Sequence, residues 1–77
     1  MRRVVLYSRP GCHLCDVARG TILTLRDRIP FAFEEVNVEA DRELELAYGI
    51  RIPVVAVDGQ EAFEVTVDER ELARLLG

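Results

Sequence analysis

Two cysteines, Cys12 and Cys15, are separated by His13 and Leu14 and stand between two segments of different periodicity. Before them lies the apolar run Val4-Val5-Leu6-Tyr7; after them apolar residues recur at helical steps. A run that short and that rich in β-branched residues reads as a buried strand. The junction therefore demands a strand that turns abruptly, through Ser8-Arg9-Pro10-Gly11, into the first turn of a helix. Thiols one turn apart at a helix start can close a disulfide and reopen it. The unpaired N–H groups of that turn favour the thiolate of the first one. Thiol–disulfide exchange is the leading expectation.

The rest of the chain reads as punctuation around short elements. Leu14, Ala18, Ile22, Leu25 and Ile29 predict one helix from Cys12 to about Arg28, stopped by Pro30. Phe31 to Val38 alternates as a second strand, with Phe31, Phe33 and one of Val36 or Val38 inward. Glu39 to Tyr48 reads as a short helix with Leu44 and Tyr48 on its apolar face, and Gly49 as its left-handed cap. Ile52 to Val57 is a third strand with Pro53 near its start. Asp58-Gly59 signals a hairpin that returns through Gln60 to Val65. Asp68 to Glu71 opens a last helix as a capping box, with Leu72, Leu75 and Leu76 buried. The expected fold is α/β, a single domain over residues 1–77 in the order βαβαββα. A four-stranded mixed sheet is covered by helices, with the first two strands parallel and the last two a hairpin.

Composition narrows the function classes. With 14 acidic and 10 basic residues the net charge is −4, and no basic stripe offers itself to phosphates, so no nucleic-acid partner is expected. All 10 basic residues are arginine, which more simply reflects coding bias than mechanism. No membrane segment is expected, because no apolar stretch has the needed length. Met1-Arg2-Arg3 has the charge of a signal-peptide start, but the apolar run behind it is too short. A cytoplasmic location is the default, and two cysteines do not make a secreted disulfide framework. A zinc site needs four ligands, and His13, between the cysteines, is poorly placed to be one, so no metal is assigned.

At this point the chain resembles the glutaredoxins. Tyr7-Ser8-Arg9 followed by Gly11-Cys12-His13-Leu14-Cys15 is similar to their active-site segment, and Ile52-Pro53 to the cis-proline segment of the thioredoxin superfamily. The element order matches a minimal glutaredoxin, a thioredoxin-like fold, over nearly the whole chain. Among its members, small glutaredoxin-like proteins carry a segment very similar to residues 9–15.

The resemblance implies a thiol–disulfide oxidoreductase whose redox centre is its own disulfide. Cys12 is the expected nucleophile and Cys15 the resolving thiol. His13 and Arg9 are candidates for tuning the thiol, His13 either as a proton shuttle or as a solvated neighbour. The resemblance also implies a cis Ile52–Pro53 bond beside Cys12, with the Ile52 backbone pairing an extended substrate. Gly11 leaves room for that substrate. Arg9 and Arg51 are candidate carboxylate holders, with solvated arginines as the alternative, and Tyr7 is a cleft wall or a core residue. Asp16 complements the helix start, with a proton relay as the alternative.

Glutathione-using members carry Gly-Gly after the last strand, where Phe63 and Glu64 stand here. That departure weighs against glutathione and leaves a thioredoxin-reductase-like reducing system open. The expected substrates are disulfides of proteins or small thiols, and the expected state is a monomer. Two other classes stay open: an iron–sulfur or metal carrier using the same cysteines, and a non-catalytic binding module.

Overall fold

The central strand β1 (Arg3–Ser8) alternates strictly, with Val4, Leu6 and Ser8 buried on one face and Val5 and Tyr7 on the other. In the computed structural model, which describes residues 1–77, β1 pairs parallel with β2 (Ala32–Asn37) and antiparallel with β3 (Val54–Val57). The strand β4 (Gln60–Glu64) pairs antiparallel with β3 at the edge, giving the order β2-β1-β3-β4. The helix α1 (His13–Arg26) joins β1 to β2, which is why that pair is parallel. The β3–β4 connection is a two-residue turn with φ 52° at Asp58 and 85° at Gly59, the mirror-image turn that suits strand twist. Asp58 also accepts from the Arg3 N–H at 2.9 Å and from the Arg2 guanidinium at 2.7 Å.

One residue of β4 has no partner. Val55 faces Phe63 and Ala56 faces Glu61, so Ala62 is a bulge. Without it, Glu61 and Glu64 would project to opposite faces; with it, both face the side of Val54 and Ala56.

The other face holds the core. Val4, Leu6, Val55 and Val57 of the sheet meet Ala18, Ile22 and Leu25 of α1, Phe31, and Leu72 and Leu76 of α3 (Glu69–Leu76). Cys15 is fully buried in the α1 stripe, whereas Leu14, expected there, is 44% exposed. The inward positions run Cys15, Ala18, Ile22, Leu25, and Leu14 lies one residue, about 100°, off that line. The helix ends at Arg26, two residues before the expected Arg28.

Four further expectations are corrected. The Glu39–Tyr48 helix is split into a 3-10 turn at Val38–Ala40 and α2 (Arg42–Tyr48). Asp41 takes an extended conformation, φ −145°, and accepts from the Glu43 N–H at 2.8 Å, capping the second piece rather than continuing the first. Gly49 is not left-handed: at φ −53° it continues the helical path, and a Cβ there would stand 2.5 Å from the Glu45 carbonyl oxygen. The capping box of α3 is half made. Asp68 accepts from the Glu71 N–H at 3.1 Å, but the Glu71 carboxylate turns forward to Arg74. The ladder of β3 starts at Val54, after Ile52-Pro53, since Pro53 has no N–H to give.

Candidate active site

Cys12 is the N-cap of α1, in extended conformation at φ −92°, ψ 109°. Its Sγ accepts from the Cys15 N–H at 3.2 Å, so the sulfur lies where the first turn presents unpaired donors. Cys12 and Cys15 are joined in a disulfide with Cα atoms 5.2 Å apart, inside the usual range. The two sulfurs differ in access, Cys12 being half-buried and Cys15 wholly buried. Gly11 enters this turn at φ 77°, which favours glycine, and its face is open: an added Cβ would meet nothing within 4 Å. His13, the first helical residue, is exposed.

The sheet brings the proline segment to the same end. Tyr7 pairs with Val54, so Pro53, buried, lies beside Ser8, from which the loop runs to Cys12. The Ile52–Pro53 bond is cis. The Pro53 carbonyl accepts from the Val65 N–H at 2.7 Å, while the Ile52 N–H and C=O make no backbone hydrogen bond.

The other candidates are placed differently. Tyr7 lies on the sheet face opposite α1, where its ring stacks on Tyr48 with centroids 4.1 Å apart. Burial, and then Tyr48, push its phenol above the ordinary value. Arg51 donates to Glu61 at 2.7 Å, to Glu64 at 3.2 Å and to the Ala47 carbonyl at 2.9 Å, with its guanidinium 5.4 Å from the Tyr48 ring centre. The bulge at Ala62 makes this double contact with β4 feasible. Arg9 donates to the Gly49 carbonyl. Both arginines thus fasten α2 and its exit to the body of the protein, and Tyr7 is part of that packing.

A polar cluster beside the thiols has no counterpart among the sequence-based expectations. Glu35 of β2 faces α1, where it accepts from Arg19 Nε at 2.7 Å and Nη2 at 2.5 Å, and from the buried Ser8 hydroxyl at 2.6 Å. Arg19 also donates to Asp16 at 2.8 Å, so Asp16 does more than complement the helix start. Ser8, Arg9, Gly11, Arg19, Glu35 and Asn37 line a polar cleft of about 380 Å³. A larger hollow of about 570 Å³, between the Asp58 turn and α3, lies at the opposite end of β3 and holds no thiol.

Arg19, first, and then Ser8 hold the Glu35 carboxyl below the usual carboxylate range, against the opposing effect of burial. A depressed folded value means stability that is complete above the unfolded value of about 4.3 and disappears as pH falls through the lower folded one. Water screens this partly solvated pairing, so Glu35→Gln should cost only about 0.5–1 kcal/mol at neutral pH, by weakening its bonds to Arg19 and Ser8. Urea unfolding at pH 7 and pH 3 checks it: the gap between parent and variant must shrink at the lower pH. An equal gap at both would show that the charge of Glu35 contributes nothing.

Comparison with known proteins agrees with this geometry. The family described as Glutaredoxin-like domain (DUF836) matches residues 3–77. The solution structure of Ne2328 from Nitrosomonas europaea superposes with a TM-score of 0.86 at 27% identity, covering 99% of this chain and 92% of that one. The crystal structure of XcR50 from X. campestris gives 0.79 at 36% identity, covering 95% and 93%. A mutant thioredoxin from Halobacterium salinarum gives 0.71 at 25%, covering 97% and 71%. No protein among curated sequences matches. With a four-stranded mixed sheet, three helices and a Cys12–Cys15 pair capping the first of them, the chain has the thioredoxin-like fold and belongs to the glutaredoxin-like family.

Proposed function

We propose that the protein is a dithiol oxidoreductase that reduces disulfides of proteins or small thiols. The observation that carries this reading is the asymmetry of the pair: an accessible sulfur at the helix cap, bonded to a wholly buried one in the turn behind it. In the reduced protein the first-turn N–H groups and the helix dipole stabilise the Cys12 thiolate. That thiolate attacks one sulfur of the substrate; the substrate S–S bond breaks, a Cys12–substrate bond forms, and the first substrate thiolate leaves and takes a proton. The Cys15 thiol then gives up its proton and attacks Cys12 Sγ; the mixed disulfide breaks, the Cys12–Cys15 bond closes, and the second substrate thiolate leaves and takes up a proton. Two electrons pass from the dithiol to the substrate, and a dithiol or low-molecular-weight thiol reductant restores the pair.

Support for an extended substrate comes from Ile52, whose backbone N–H and C=O are free at the thiol end of the sheet, as strand addition requires. The protein works as a monomer in the cytoplasm, reduced by a thioredoxin-reductase-like or thiol system. His13, exposed beside Cys12, tunes the thiol rather than forming part of the reacting set.

A redox titration in defined thiol buffers, trapped by alkylation and read by mass, tests the proposal. A reversible loss of two alkylation sites at one midpoint is the expected result, and the midpoint distinguishes reductant from oxidant across a span of roughly −270 to −120 mV. Thiols that stay alkylatable across the whole range would refute the dithiol mechanism.

A further inference from the structure

The loop from α2 to β3 leads into Ile52, and little packing holds it. Gly49 has no side chain to bury, and Ile50 is fully exposed. The Arg51 N–H donates to the Tyr48 carbonyl at 2.8 Å, which fixes one backbone point at the helix exit. The rest of the tether falls on the Arg51 side chain, whose residue is joined directly to Ile52. Its Nη1 donates to Glu61 at 2.7 Å and to Glu64 at 3.2 Å, both on β4. Its Nη2 donates to the Ala47 carbonyl of α2 at 2.9 Å. One planar guanidinium thus joins helix, loop and sheet edge, lying 5.4 Å from the ring centre of Tyr48, which stacks on Tyr7 of β1. The unpaired Ala62 turns Glu61 to the same face as Glu64, which lets one arginine reach both.

Stability alone does not account for this arrangement. The side chains of Arg51, Glu61 and Glu64 are 34%, 46% and 56% exposed, and ion pairs that wet contribute little to folding. A rigid fork between two carboxylates gives geometric definition instead. Both terminal nitrogens of Arg51 are engaged, so the guanidinium is not held open for a substrate carboxylate. What the clamp presents is the next residue, Ile52, whose N–H and C=O make no backbone hydrogen bond.

We propose that Arg51 is a positioning residue: clamped to Glu61 and Glu64, it holds the Ile52 backbone in place for a polypeptide substrate before that substrate arrives. The proposal rests on the dithiol reading of Cys12 and Cys15. A loop that visits the competent geometry only part of the time weakens apparent binding by the inverse of that fraction.

The test compares the parent, Arg51→Ala and the double variant Glu61→Gln/Glu64→Gln, each reduced with dithiothreitol and then freed of it. Rate constants are measured against two probes. One is an unstructured peptide holding one internal disulfide; the other is hydroxyethyl disulfide, which has no peptide backbone to pair. In Arg51→Ala the ratio of peptide to hydroxyethyl disulfide rate should fall about threefold to tenfold, as a competent fraction of about a third to a tenth requires. The double variant keeps Arg51 and the loop sequence, and its ratio should fall too. Adding Arg51→Ala to it should lower the ratio little further, since both changes break one clamp. The double variant carries the test if the alanine variant folds poorly. A ratio that rises in the double variant shows an arginine released to bind the substrate itself, and overturns the positioning role. Ratios within twofold of the parent in both variants, or a parent inert toward the peptide alone, overturn it as well and leave the dithiol reading intact. A parent inert toward both probes overturns the dithiol reading, and this proposal with it.

Discussion

Cys12→Ser should abolish disulfide turnover, while Cys15→Ser should stop turnover only after the first step, accumulating a covalent adduct of substrate on Cys12. The difference follows from access. Cys15 is wholly buried, and its sulfur can meet only what Cys12 has already bound. Cys12, half-buried at the helix cap, meets the substrate directly. A serine hydroxyl at the cap still accepts from the Cys15 N–H, so the helix start should survive in Cys12→Ser while the nucleophile is lost. With a peptide disulfide as substrate, non-reducing mass analysis should show Cys15→Ser heavier by one substrate chain. Cys12→Ser should stay unmodified over the same time. An adduct on Cys12→Ser, or turnover by it, would reverse the assigned roles.

Much of this site is legible in the sequence because its determinants are local. Gly11 before Cys12, a helix period behind, and Pro53 at the head of an apolar run are features of neighbouring residues, and Asp58-Gly59 tolerates the positive φ its turn requires. What escapes a sequence reading is set by contacts between distant residues, or by a residue with two roles. Cys15 announces chemistry and Leu14 announces core, yet a buried thiol is a good small apolar residue, and it takes the inward position. The break at Asp41 turns on whether a carboxylate caps the next helix or rides on the surface of one long helix, a choice that sequence period alone leaves open. Glu35 sits in an alternating strand, and only the parallel register of β1 with β2 shows that it points at Ser8 and Arg19. Val65 is the extreme case: valine carries no local signal for a left-handed turn, which is imposed by its N–H reaching Pro53 and by the closure from Glu64 to Thr66.

Leu6→Ala should be the most damaging substitution away from the thiols. Leu6 lies on the central strand, fully buried, opposite Val55 on one side and Glu35 on the other, within the core that α1 and α3 cover. Hydrogen-bonded neighbours on both sides hold β1 in place, so the sheet cannot close over the missing atoms and a cavity remains. Truncating leucine at such sites costs about 3–5 kcal/mol. A domain of this size has a total of about 4–12 kcal/mol, at roughly 0.05–0.15 kcal/mol per residue, so the loss takes a large share of it. Leu46, 76% exposed on α2, supplies the contrast: Leu46→Ala should move stability by no more than about 0.5 kcal/mol. Urea unfolding followed by circular dichroism separates the two, with the midpoint of Leu6→Ala lowered and its slope unchanged. A cost below about 1 kcal/mol would mean that the sheet and helices repack around position 6, and that the core is far softer than its burial implies.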